Sequence, residues 1–256
     1  EIYTLSLHDA LPIYRPGKEG LYDPRYEHDS CGIGFVANIK GKKSYDIIKR
    51  GLEVLERMTH RGAEGADNKT GDGAGILMQI PHAFYAEEFP SLPQSGDYGT
   101  GLVFLPAEKN SAEECVKILE LTAEEEGLEV IGWREIKVDS SVVGDIARKA
   151  EPAMKQIFIK TKPGINNNLE LKLYVVRKLA EKRVAELSDK KYSAFYIPSL
   201  SSRTIVYKGM LMPGQVKSYF KDLQDDRVES AMALVHSRFS TRSEERRVGK
   251  ECRSRW

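Results

Sequence analysis

The sequence predicts an α+β protein, on three observations. Short apolar runs beside glycine-rich turns, such as residues 33–39 and 76–80, are typical of strands. Apolar residues three or four positions apart, with lysines on the other side, predict an amphipathic helix over residues 42–58. At 256 residues, the chain is also long enough to bury a sizeable core.

The remaining elements follow from the same patterns, and the middle of the chain alternates strand and helix. This alternation is compatible with a small ferredoxin-like insert, and the turn-rich residues 162–168 are its one candidate internal linker. The predicted elements after residue 80 are strands at 101–105, 129–133, 156–160, 194–197, 204–207 and 231–239, and helices at 112–126, 142–150, 168–187 and 213–223.

Both ends of the chain differ from the rest. Residues 1–13 can be encoded by a DNA string whose reverse complement, read in a shifted frame, encodes residues 242–254. Complementary ends of this kind are typical of a sequencing adapter translated at both edges of a fragment. We therefore expect no native structure or function in residues 1–13 and 242–256. The alternative is a basic, nucleic-acid-binding arm at 242–256, which the complementarity disfavours.

Charge and cysteine content exclude several classes of protein. The formal net charge is +1, and the two end segments account for it, so nothing favours a nucleic-acid or membrane partner. Of the three cysteines, Cys252 lies in the adapter-like tail, which leaves Cys31 and Cys115. Two cysteines are too few for a disulfide framework, and no spacing of cysteines and histidines matches a zinc site. A reduced, cytoplasmic or plastid location is therefore expected. No apolar run reaches membrane-spanning length.

The most informative stretch is residues 28–35, His-Asp-Ser-Cys-Gly-Ile-Gly-Phe, in which Cys31 directly precedes a predicted strand. Cleavage before Cys31 would give this residue a free α-amine, whose ordinary pKa is about 8. The amine could then accept the thiol proton near neutral pH, so that one residue supplies nucleophile and base. The alternative is a buried structural cysteine at a strand end, because free cysteine is often buried.

Two further motifs follow Cys31 in the sequence: Met58-Thr-His-Arg-Gly-Ala63 and Asn68-Lys-Thr-Gly-Asp-Gly-Ala-Gly75. Together with residues 20–35, they resemble the N-terminal glutaminase domain of glutamate synthase large subunits, a family of class II glutamine amidotransferases. The resemblance runs from about residue 20 to residue 241 and includes the less specific stretches 98–106, 132–134 and 199–209.

The resemblance implies the N-terminal-nucleophile hydrolase fold, in which two mainly antiparallel sheets pack face to face between helices, in four αββα layers. The domain would span residues 31–241 and be incomplete at its C-terminus. Residues 14–30 would be a propeptide that the Cys31 thiol removes by self-cleavage, and the alternative is an ordinary N-terminal extension.

The resemblance also implies roles for particular residues. Cys31 would be the catalytic nucleophile, and Arg238, in His236-Ser-Arg-Phe-Ser-Thr241, would bind the α-carboxylate of the substrate through its forked guanidinium. Structural arginines are the alternative at positions 61 and 238. The residues expected to shape the pocket are Arg61, Gly62, Gly71, Asp72 and Gly73.

In such an enzyme, L-glutamine is hydrolysed through a cysteine thioester, and the downstream synthase domains of the parent chain deliver the ammonia to 2-oxoglutarate. No cofactor is expected in this domain, whereas FMN and an iron–sulfur cluster are implied for the parent. The family's oxyanion hole is an Asn-Gly pair that this chain lacks, so the fragment itself is expected to be inactive. The alternatives are another class II amidotransferase and a catalytically silent scaffold.

Overall fold

The computed structural model describes residues 32–61, 67, 69–163 and 168–237, together with Lys18 and Gly20. The predicted adapter-derived ends therefore lie outside the described residues, as does nearly all of the predicted lead-in at 14–30. Within the described part, the strands form one antiparallel sheet of four strands and one of three. The predicted α+β class is confirmed.

The four-stranded sheet has the order β1-β7-β2-β6, and the three-stranded sheet has the order β3-β5-β4. The strands are β1 (Gly32–Ala37), β2 (Ala74–Gln79), β3 (Tyr98–Leu105), β4 (Leu128–Glu135), β5 (Ala153–Thr161), β6 (Thr204–Gly209) and β7 (Met232–Ser237). The helices are α1 (Tyr45–Arg57), α2 (His82–Glu88), α3 (Lys109–Glu125), α4 (Asp145–Lys149), α5 (Leu169–Glu186) and α6 (Gln215–Tyr219).

Helix α1 covers one face of the four-stranded sheet. Its apolar stripe, with Ile48, Leu52 and Leu55, is buried against β1, β7 and β2, as the helical spacing predicts. Gly51 permits the close approach, because a Cβ there would lie 2.7 Å from the Cβ of Ala233 on β7. Among the described residues, the opposite face is exposed along β1 and at Leu234 of β7, and we call this exposed part the open face.

The open face is apolar. Ile33 and Phe35 are 66% and 62% exposed, and Leu234, opposite Phe35 on β7, is 37% exposed. Strand alternation explains the pattern, because residues two apart share a face of the sheet and their neighbours lie on the α1 side. These three side chains lie together on one exposed, apolar part of the sheet surface.

The three-stranded sheet has the strand order of the predicted ferredoxin-like insert, with β5 between β3 and β4. Helices α3 and α5 pack together on one face, over a second core that includes Leu119, Val176 and Ile157. A bulge near Ile131 interrupts the pairing of β4 with β5. Each predicted strand and helix of the insert is present.

Two predicted elements differ in the structure, and helix α2 was not predicted. Residues 194–197 form an isolated bridge from Tyr196 to Phe104 instead of a strand, because Pro198 has no N–H to continue the pairing. The helix predicted at 213–223 is divided at Phe220, whose backbone is extended, into α6 and a 3₁₀ turn at Lys221–Gln224. The division allows Asp222 to enter the core.

A buried ionic cluster joins the two sheets. Arg134 of β4 donates to both oxygens of Asp222, at 2.6 and 2.7 Å, and also pairs with Glu88 of α2. Tyr207 of β6 donates to the same Asp222 carboxylate at 2.9 Å. Burial alone would disfavour the charged guanidinium, but its hydrogen bonds to the two carboxylates raise the pKa of Arg134. The insert is thus fixed to the four-stranded sheet through paired charges.

None of the helices in the described part of the chain combines the length and apolar character needed to span a bilayer.

Candidate active site

Three segments that carry the predicted site residues meet at one end of the four-stranded sheet. Ser237, the last residue of β7, pairs with Gly32 on one side and with Ala74 on the other. Gly32 directly follows Cys31, and Ser237 directly precedes Arg238. Cys31 and Arg238 themselves lie outside the described residues. Their covalent neighbours nevertheless face each other across the β1–β7 pair.

The third segment is the glycine loop, residues 69–73, which leads into Ala74 at the start of β2. Gly71 is buried, and a Cβ there would overlap the carbonyl of Leu211. Gly73 is also buried, and its φ of +131° is a conformation that favours glycine. Asp72, between them, is half-buried. Backbone geometry therefore explains both glycines.

An aspartate anchors the start of the glycine loop. Asp67 accepts hydrogen bonds from the Thr70 hydroxyl at 2.6 Å, from the Thr70 amide at 2.8 Å and from the Lys69 amide at 3.1 Å. Hydrogen bonding, chiefly from the Thr70 side chain, lowers the pKa of Asp67 to about 2. The carboxylate is therefore ionised at neutral pH, and the loop has a fixed first turn.

The two remaining pocket residues adjoin α1. Arg61 ends a 3₁₀ turn at Thr59–Arg61, which follows that helix. The Thr59 hydroxyl donates to the carbonyl of Glu56 at 2.6 Å and holds the turn against the helix end. The Arg61 side chain and Gly62 lie outside the described residues, so the predicted roles of both stay predictions.

Cys115 is remote from this end of the sheet. It is buried in α3, in the core of the three-stranded sheet. Burial, with a smaller contribution from Glu114, raises the pKa of its thiol to about 12, so it stays protonated at neutral pH. Cys115 is therefore a packed thiol in the core of the insert. Among the residues described, no group of three or more His, Cys, Asp or Glu side chains is arranged to hold a metal ion.

Sequence reasoning missed the side chains that brace the glycine loop from other elements. Gln215 of α6 donates to the carbonyl of Lys69 at 2.8 Å, across 146 residues of sequence. Gly144 lies directly against Asp67 and Thr70. No local pattern marks either residue, because both contacts come from the tertiary fold.

Comparison with known proteins is consistent with this geometry. The model of the family described as "Glutamine amidotransferases class-II" matches residues 31–246. The chain is 47% identical over 231 residues to the glutamate synthase (NADPH) large chain of Bacillus subtilis, which covers 88% of this chain and 15% of that protein.

Relatives in eukaryotes are similar to the same part of the chain. Glutamate synthase (NADH) of Saccharomyces cerevisiae is 43% identical, with 92% of this chain and 11% of the relative covered. Ferredoxin-dependent glutamate synthase 1, chloroplastic/mitochondrial, of Arabidopsis thaliana is 38% identical, with 91% and 14% covered. The chain thus spans between 11% and 15% of the length of these three relatives.

Proposed function

Because this chain belongs to the class II glutamine amidotransferases, we propose that it is the glutaminase domain of a glutamate synthase and hydrolyses L-glutamine with Cys31 as the nucleophile. The observation that carries the proposal is the pairing of Gly32 with Ser237, which brings the neighbours of Cys31 and Arg238 together. The family match also begins at Cys31 itself.

The proposed reaction begins when the α-amine of Cys31 takes the thiol proton. The thiolate attacks the side-chain carboxamide carbon of glutamine, and the carbon–nitrogen bond breaks as the amine returns its proton to the leaving ammonia. Water then attacks the glutamyl thioester, which releases glutamate and restores the thiol. The sum of the steps is glutamine and water to glutamate and ammonia.

This chemistry requires a free α-amine on Cys31, so residues before it must be removed. We propose that Cys31 removes them itself. Its thiol attacks the Ser30 carbonyl, the acyl group moves from nitrogen to sulfur so that the peptide bond breaks and the α-amine is freed, and water hydrolyses the resulting thioester. The active domain would then begin at Cys31, and residues 14–30 would be the propeptide.

Substrate binding is assigned to the same end of the sheet. Arg238, which directly follows β7, would pair both oxygens of the glutamine α-carboxylate through its guanidinium fork. The glycine loop, with Gly71, Asp72 and Gly73, would shape the pocket with Arg61 and Gly62. The two buried glycines support this role because they fix the course of the loop backbone beside Ala74: Gly71 lies against the Leu211 carbonyl, and Gly73 has a positive φ.

The open face of the four-stranded sheet supports the four-layer fold. Ile33, Phe35 and Leu234 are exposed on the side opposite α1, where the second sheet of an αββα sandwich would pack. We propose that further strands of a longer parent chain form that sheet. Those strands would also bring the Asn-Gly oxyanion hole, without which turnover falls by about two to three orders of magnitude. The fragment alone is therefore expected to be inactive.

In the parent, the ammonia would pass to 2-oxoglutarate in synthase domains that hold FMN and an iron–sulfur cluster. Such clusters need several cysteine thiolates. Cys115, the cysteine that the structure describes, is enclosed in the core of the insert and does not fit this role. We therefore assign the cluster to other parts of the parent. We propose that FMN is also bound there, and that the enzyme has a cytoplasmic or plastid location.

The test is a glutaminase assay of the full-length protein that carries this domain. We expect glutamate and ammonia to appear from L-glutamine in equal amounts, because each thioester cycle releases one of each. L-Asparagine, which is one methylene shorter, is the matched control and should react far more slowly. A folded full-length protein that does not hydrolyse glutamine would favour a silent scaffold instead.

A further inference from the structure

We propose that Gln215 is a positioning residue that holds the glycine loop in place for glutamine, an inference that rests on the function proposed above. Its side-chain amide donates to the carbonyls of Lys69 and Val142, both at 2.8 Å, and accepts from the amide of Met212 at 2.8 Å. Both N–H donors and the oxygen of the amide are therefore used.

These bonds join three segments that are distant in sequence. Lys69 is the first residue of the glycine loop, and Met212 lies in the turn after β6. Val142 belongs to the connector, which we define as residues 136–152 between β4 and β5 of the insert. One amide group thus ties the loop at the sheet end to the insert.

The connector makes a second contact with the loop. The amide of Ala147 donates to the Thr70 hydroxyl at 3.4 Å, and that of Ile146 to Asp67 at 3.5 Å. Gly144 leaves no space between these groups, because a Cβ there would overlap both Asp67 Oδ2 and Thr70 Oγ1. The Asp67–Thr70 turn therefore rests directly on the connector.

The connector is itself fixed to the α6 region. Tyr219 donates to Glu151 at 2.5 Å, and Ser140 donates to the same carboxylate oxygen at 2.7 Å. Lys221 pairs with Asp139 at 2.8 Å. The loop is consequently held from one side by a segment that is itself bonded to the α6 region.

The loop position matters because it leads directly to the proposed reaction centre. Gly73 precedes Ala74, and Ala74 pairs with Ser237, the neighbour of Arg238. A displacement of about 1 Å in a group that positions substrate can cost about 100-fold in rate. Loss of the Gln215 bonds is therefore expected to weaken glutamine turnover, although Gln215 is not assigned to touch the substrate.

The first test is Gln215→Glu in the full-length protein. Glutamate has the size of glutamine and keeps an oxygen that can accept from the Met212 amide. Its carboxylate, however, cannot donate to the carbonyl oxygens of Lys69 and Val142, which it faces. The matched control is Gln224→Glu, because Gln224 also donates to two backbone carbonyls, those of Lys217 and Ser218, at 2.9 and 3.3 Å. We expect kcat/KM for glutamine to fall at least about tenfold in Gln215→Glu and to stay within about twofold in the control.

The pH dependence separates positioning from a structural role. Protonation of the introduced carboxylate at lower pH restores one donor, so the kcat/KM of Gln215→Glu relative to Gln224→Glu should rise as the pH falls. Both kcat/KM values are taken per folded molecule, so a purely structural effect, which changes the melting temperature and the folded fraction, would leave this ratio flat. Equal kcat/KM values for the two variants, or a flat ratio, would overturn the proposal.

A second pair of variants covers the case in which Gln215→Glu does not fold. Gly144→Ala pushes on Asp67 and Thr70, whereas Gly214→Ala adds a methyl group to open space. Both glycines cap short helices with a φ of −69°, so the pair is matched in φ. We expect only Gly144→Ala to lower kcat/KM. Equal kcat/KM values for Gly144→Ala and Gly214→Ala would contradict the proposed positioning of the glycine loop. An inactive wild type would instead contradict the proposed function itself.

Discussion

Replacement of Cys31 by alanine in the full-length protein is expected to abolish glutamine hydrolysis, with a loss of more than about 1000-fold in kcat. The change removes the only proposed nucleophile and leaves no group to form the thioester. It should also stop self-cleavage, because the same thiol attacks the Ser30 carbonyl. Ammonia release from glutamine and the mass of the purified protein measure the two effects.

Cys115→Ala is the matched control for this variant. Its thiol is buried in α3 and has a pKa of about 12, so it contributes packing and no nucleophile at neutral pH. Glutaminase activity per folded molecule should be unchanged. Comparable losses of total glutaminase activity in the two variants would show that cysteine replacement acts through stability. Full activity in Cys31→Ala would exclude the thioester mechanism.

Asp222→Ala is expected to destabilise the domain by about 3 to 5 kcal/mol, because it leaves the buried Arg134 guanidinium without its principal partner. The effect should be strongest where the insert meets the four-stranded sheet. Hydrogen exchange of the β4 and β5 amides in the full-length protein, followed by mass spectrometry, measures the loss of protection.

Glu186→Ala provides the comparison for an exposed ion pair. Glu186 and Lys182 are 3.7 Å apart, and their side chains are 62% and 71% exposed, so the change should cost no more than about 1 kcal/mol. If Asp222→Ala altered exchange no more than Glu186→Ala did, Glu88 would be sufficient to hold Arg134, and the cluster would not fix the insert.

The sequence was sufficient for the elements whose pattern is local. Helix α1 was predictable because its apolar residues recur at helical spacing, and its observed start, Tyr45, lies three residues inside the predicted range. The strands and helices of the insert were predictable for the same reason. The glycine loop was identified by composition, and its two buried glycines have a backbone explanation at Leu211 and at the positive φ of Gly73.

Contacts that join distant segments were not predictable. Arg134 and Asp222 are 88 residues apart. Arg134 lies in one of the less specific stretches of the resemblance, but Asp222 lies in none, and no pattern pairs the two. The helix break at Phe220, which turns Asp222 inward, has no glycine or proline to signal it. Gln215 is an ordinary polar residue in a short helix until the fold brings Lys69 and Val142 within reach. Tertiary packing, not local propensity, determines such features.

The measurement that tests the central claim most directly is the intact mass of the full-length protein, expressed from its native start and purified in folded form. We expect a mass that corresponds to a chain beginning at Cys31, because only that chain has the α-amine that serves as base. A folded protein that hydrolyses glutamine and still carries the residues before Cys31 would contradict the N-terminal-nucleophile mechanism.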